Sequence, residues 1–166
     1  MNVSERDLLL AELRHAHDGD PWHGPSRSRV LADITSEEAA RHPGGDAHSI
    51  WELALHMRAW TLEVTRRLGG ASPRMPAEGD WPAVPSPSDE AWAEARHSLD
   101  AAHHALASLL QTFPAERLDD HVGSDRDAPL GAGVSYRAML HGLAQHDAYH
   151  TGQIAILAKL YRGLRR

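Results

Sequence analysis

Residues 141–157, HGLAQHDAYHTGQIAIL, place Leu143, His146, His150, Ile154 and Leu157 along one stripe of a helix that turns about 100° per residue. An apolar stripe faces a core, so this stretch specifies a helix that carries two histidines into the interior or into a pocket. The two rings lie one turn apart on one face, the spacing at which a pair of imidazoles grips a single metal ion. The rest of the chain decides whether a third ligand exists.

The chain has no Cys, which excludes disulfides, thiolate metal sites and cysteine nucleophiles, so any ion must sit on His, carboxylate or water. Its 166 residues suffice for one domain with a real core, expected across residues 1–166. No apolar run reaches the roughly 18 residues of a membrane span, and MNVSERDLLL lacks a basic-then-apolar leader pattern, so no membrane partner and a cytoplasmic location are expected. A net charge of −6 without a basic stripe argues against a nucleic-acid partner.

Capping signals divide the chain into helices. Ser4 with Asp7 opens a first helix, with Val3 and Leu8 as a hydrophobic staple and Leu9, Leu10 and Leu13 as its apolar face, stopping near Asp18-Gly19-Asp20-Pro21. Ser26 is placed to cap a short helix through Leu31, and Thr35 or Ser36 another short turn. Ser49 with Glu52 forms a capping box that opens a long helix to Leu68, its buried face marked by Leu53, Met57, Trp60, Val64 and Leu68. Residues 71–87 hold five prolines and read as an extended crossover. Ser88 starts a third long helix with Trp92, Leu99, His103, Leu106 and Leu110 inward, and Ser135 caps the helix that carries the histidine pair, with Val134 and Met139 as a further staple. Four long amphipathic segments without a strand pattern predict an all-α four-helix bundle whose long connections exclude a simple up-down topology.

His146-Asp147-Ala148-Tyr149-His150 differs by one residue from the zinc-protease signature, but Asp147 is shorter than the required Glu and residues 151–166 contain no His, Asp or Glu. The third ligand must therefore come from a facing helix. His56, on the margin of the buried face of its helix, is the best donor, and His103 is the competitor. Gln153, one turn beyond His150, is placed to orient it, while Glu52 serves its helix cap or the open side of the site. Asp147 points about 100° away from His146, as an orienting partner, an interhelical contact or a solvated group. Trp22 and His23 are candidates for the pocket mouth, Trp60 for its wall, and Tyr149 for a contact between helices or subunits.

At these residues the chain resembles the DinB-like (DinB/YfiT) superfamily of metal-binding four-helix proteins. The resemblance rests on HDAYHTGQI, on HSIWELALHMRAW at 48–60, on DWPAVPSPSDEAW at 80–92 and on WHGPS at 22–26, in the family's order. It implies a metal triad of His56, His146 and His150, a DinB/YfiT-like bundle with long crossover connections, and frequent homodimers. Three imidazoles leave positions on a divalent ion open, the pattern of a catalytic rather than a structural site. Zinc, nickel, manganese and iron are the candidate ions, and three nitrogen ligands do not choose among them. By resemblance, the leading expectation is transfer of a low-molecular-weight thiol of the bacillithiol or mycothiol type onto an electrophilic small molecule. Hydrolysis with ion-bound water as nucleophile comes second, and a non-catalytic, stress-associated metal-binding bundle third. In both catalytic readings the nucleophile is not a side chain.

Overall fold

The computed structural model describes residues 3–123, 130–131 and 133–163. Six α-helices and no strand occur among them: α1 (Glu5–His17), α2 (Arg27–Leu31), α3 (Ser36–Ala40), α4 (Ile50–Leu68), α5 (Asp89–Thr112) and α6 (Tyr136–Gly163). A 3-10 turn at Ala115–Arg117 follows α5, and residues 124–129 and 132 of the linker before α6 lie outside the described residues. No described helix is long and apolar enough to cross a membrane.

The helix starts follow the capping chemistry of the sequence. Ser4, Ser49 and Ser88 each accept a hydrogen bond from the backbone N–H three residues on, and Ser49–Glu52 closes the full reciprocal box. Thr35, not Ser36, caps α3, and it too forms a box, with Glu38. Ser26 occupies the N-cap position of α2 but its buried hydroxyl makes no cap bond. Neither staple closes as expected, since Val3 and Leu8 are both exposed and Val134 stays exposed while Met139 is buried. Helix α4 ends in a Schellman motif: Gly70 takes a positive φ of 93°, its N–H reaches Arg67 O, and the Ala71 N–H reaches Arg66 O.

The long helices form a square in which α4 and α1 each pack against both α5 and α6. Two apolar clusters fill it. One joins α1 (Leu9, Leu10, Leu13) to the C-terminal halves of α4 (Val64, Leu68) and α5 (Leu106, Leu110) and to the first turns of α6 (Met139, Leu140, Leu143). The other joins the short helices to the N-terminal halves of α4 (Leu53, Met57) and α5 (Trp92, Leu99) and to the last turns of α6 (Ile154, Ala158, Tyr161). Helices α4 and α5 therefore run parallel, with α6 antiparallel to both. Contacts of Glu5 and Glu12 with Arg137 and His141 set α1 alongside α6 in the same sense. A parallel pair needs a connection as long as the bundle, and residues 69–88 supply it in extended form; α4 alone is ~28 Å long at 1.5 Å per residue. Each fully buried leucine of these clusters contributes about 1.5–3 kcal/mol through removal from water.

A polar chain crosses this apolar interior. The fully buried Arg27 of α2 donates from Nη1 to Asp147 Oδ2 of α6 at 2.9 Å and from Nη2 to His17 Nδ1 of α1 at 2.7 Å. A guanidinium only donates, so His17 Nδ1 accepts and the ring is neutral, with its proton on Nε2. The His17 ring stacks on His103 of α5 at 3.9 Å between centroids. His103 is thus a packing partner of His17 and not a member of the triad. Burial, reinforced by the Arg27 charge, pushes His17 down to about 4, and burial together with the His17 and Arg27 charges pushes His103 down to about 2.

Both folded values lie below the ordinary 6.5, so between that value and the depressed ones the unfolded chain binds protons that the folded chain refuses. The stability these two rings supply is complete above 6.5 and is lost as pH falls toward about 4. Urea unfolding in a chelating buffer is expected to show a lower midpoint at about pH 5 than at about pH 7, with a smaller difference in His103→Phe.

Candidate metal centre

His56 comes from the middle of α4, and His146 and His150 from successive turns of α6, which lies against it. Each offers one nitrogen, and the three nitrogens lie within 4.8 Å of one another. Among the described residues this is the one group of three or more His or carboxylate side chains so placed. His56 and His150 are buried; His146 is partly open and faces a cavity of about 640 Å³.

The hydrogen bonds set which nitrogen each ring presents. His56 Nδ1 lies 2.7 Å from the carbonyl oxygen of Asp80 and must donate to it, leaving a lone pair on Nε2. His150 Nδ1 lies 2.6 Å from Gln153 Oε1 and donates likewise, which frees its Nε2. His56 Nε2 and His146 Nε2 approach to 2.9 Å. Two nitrogens about 2.0–2.1 Å from one ion at a right angle to each other lie ~2.9 Å apart, so the approach suits shared coordination. His146 Nδ1 is buried without a hydrogen-bond partner. These donors fit a divalent ion. Burial, aided by the charges of His150 and His56, holds His146 down to about 4; burial also lowers His150, against the opposing pull of Gln153. Both rings are therefore neutral at pH 7, the state that ligates.

The Pro-rich crossover closes the site from outside. Asp80 accepts the Trp60 indole N–H at 2.7 Å, and its carboxylate also stands 3.3 Å from His56 Nδ1. Trp81 stacks on His56 at 4.0 Å and on His48 at 3.4 Å, both nearly parallel to it, so its indole is sandwiched between two imidazoles and fixes the plane of His56. The cavity walls are Trp60, Val64, Trp81, Leu143 and Tyr149, with Asp80 their sole formal charge among the described residues.

Of the residues expected around the triad, Trp60 and Gln153 line this cavity. Glu52 does not; its carboxylate accepts from Ser49 N at 2.7 Å as part of the helix cap. Trp22 and His23 line a different cavity, with Glu12, His15 and Asp20, because the α1–α2 loop lies on the α1 side of α6 while His56 lies on its α4 side. The Trp22 side chain is fully exposed. Asp80, Trp81 and His48 were not anticipated. The signals for the first two are an aromatic and a carboxylate side by side in a linker-like segment and their place at the head of DWPAVPSPSDEAW, a stretch that carries the family resemblance but assigns them no role.

The fold and site define an all-α protein with a three-histidine group that could hold a metal ion. A model of the DinB superfamily matches residues 26–154, more than three quarters of the chain and all three histidines, and the chain belongs to that superfamily. Neither a curated protein nor a solved structure gives a match.

Protein purified without a histidine tag is expected to carry, or take up from zinc, nickel or manganese, about one ion per chain. His56→Ala and His150→Ala are expected to lose it while keeping their helical circular dichroism; elemental mass spectrometry reads the difference.

Proposed function

We propose that this protein is a metal-dependent enzyme whose ion is held by His56, His146 and His150, and that it transfers a low-molecular-weight thiol to an apolar or aromatic electrophile. The supporting observation is the placement of three histidines, two of them oriented by hydrogen bonds, on the floor of an aromatic-walled cavity of about 640 Å³, within the range of small-molecule sites. A divalent ion there supplies Lewis acidity and lowers the pKa of a thiol or water that reaches it.

The chain's own residues do the rest. Asp80 and Gln153 keep the rings of His56 and His150 turned so that Nε2 faces the ion. Trp60 and Tyr149 offer ring surface to an aromatic substrate, and together with Trp81, whose faces are taken by His48 and His56, they reduce water around the reacting atoms. With no Cys in the chain the sulfur comes from a cosubstrate. Its lone pair forms the new S–C bond, the leaving group departs with the electrons of the broken bond, and the thiol proton passes to solvent. The protein acts on small molecules, in the cytoplasm, as one domain and as a homodimer.

Hydrolysis is the second reading, and one observation favours it. Asp80 is the one carboxylate lining the cavity among the described residues, and so the candidate to accept a proton from attacking water.

Zinc- or nickel-loaded protein is assayed against aromatic halides and activated esters, with and without a panel of low-molecular-weight thiols. Turnover that needs both thiol and ion, reduced on the order of 100-fold or more in His56→Ala, is expected for thiol transfer. Ester cleavage without thiol supports the hydrolase. Turnover of neither kind overturns the enzymatic reading and leaves a metal-binding bundle.

A further inference from the structure

Two buried polar atoms beside the triad have no hydrogen-bond partner, and they belong to neighbouring residues of α6. His146 Nδ1 is one and Asp147 Oδ1 the other, 4.0 Å apart. The environment of Asp147 makes this pairing specific. Its carboxylate is buried, and its second oxygen, Oδ2, is fixed by the Arg27 guanidinium of α2 at 2.9 Å. Arg27 is itself anchored on its other arm by His17. The carboxylate therefore has one oxygen committed to α2 and one left over, 4.0 Å from the free ring nitrogen of a triad histidine.

A neutral imidazole that gives Nε2 to an ion carries its proton on Nδ1 and needs an acceptor for it. His56 has the Asp80 carbonyl and His150 has Gln153, but His146 has none. The separation of 4.0 Å is too short for an intervening water and about 1 Å too long for a direct bond.

Resting on the metal reading above, we infer that Asp147 is the positioning residue of the centre: when the ion is bound, its Oδ1 accepts the Nδ1–H of His146 and holds that ring with Nε2 toward His56 and His150. Arg27 fixes the carboxylate for this task, which makes α2 a supporting element of the metal site although it supplies no ligand. The ion pair then has a use beyond clamping α2 to α6. A clamp needs only Oδ2, and an asparagine cannot serve both partners, because its amide has one oxygen where the carboxylate has two.

The test compares Asp147→Asn with unaltered protein in three readouts: zinc affinity by competition with a chromophoric chelator, the visible spectrum of the cobalt(II)-loaded form, and melting of the metal-free form. Zinc affinity lower by 10–100-fold with an altered cobalt spectrum is expected, the usual size of such an effect. A pure clamp predicts the opposite split, with a lower apo melting temperature, unchanged affinity and an unchanged spectrum; that result overturns the inference. A second measurement needs no variant. In a proton–nitrogen correlation spectrum of histidine-labelled, zinc-loaded protein, His146 is expected to carry a slowly exchanging proton on Nδ1. A His146 that instead binds zinc through Nδ1, or whose Nδ1 proton exchanges freely with solvent, also overturns it. Failure of the unaltered protein to bind zinc or cobalt is a separate outcome that overturns the metal reading itself, and this inference with it.

Discussion

Helices α4 and α5 run in the same direction, and much of the site follows from that constraint. A chain that finishes α4 at one end of the bundle must travel back to the other before α5 can begin. Five prolines between residues 71 and 87 deny it a helix on the way, so it returns extended along the outside of α4. That route brings the Asp80 carbonyl onto His56 Nδ1 and the Trp81 indole onto its ring face. The same segment is tied at its start, where Arg67 reaches the Arg74 carbonyl and the buried Glu63 carboxylate accepts the Arg74 N–H. Connection and site wall are one piece of backbone.

Helix α6 solves a different problem on each side. Toward α4 it presents His146 and His150 to the cavity; about 100° round, toward α1 and α2, it buries Asp147 against Arg27. A buried carboxylate beside a buried guanidinium is costly to desolvate and is seldom retained for stability alone. The stacked and neutral His17 and His103 extend this polar seam to α5, so that four helices meet around groups with little access to water.

The fold was legible in the sequence because helix starts are local chemistry. Ser49 with Glu52, and Ser88, announce themselves within four residues, while the choice between Thr35 and Ser36 is made only by the structure, and the inward stripes follow from a period of about 3.6 residues. The histidine pair was legible for the same reason, and the position of His56 on the margin of its helix face pointed toward a pocket. What failed was whatever depends on how distant pieces meet. Trp22 and His23 share a loop with the right chemistry but face the other side of α6. His103 lies on an inner stripe, as expected, yet its neighbour is His17. The place of Asp80 and Trp81 at the site is not legible, although their stretch carries the family resemblance, because an extended, proline-rich segment has no periodicity to say which side chain turns inward.

The three histidines are drawn from two helices far apart in the chain: His56 and His146, whose Nε2 atoms approach to 2.9 Å, are separated by 90 positions. During synthesis α4 emerges and can acquire its Trp81 stack long before α6 exists, so a nascent chain offers a metal ion one oriented imidazole and little affinity. Only docking of α6 completes the set. A site divided in this way exists only in the finished bundle, so any ligand that needs all three rings favours completed chains over their precursors.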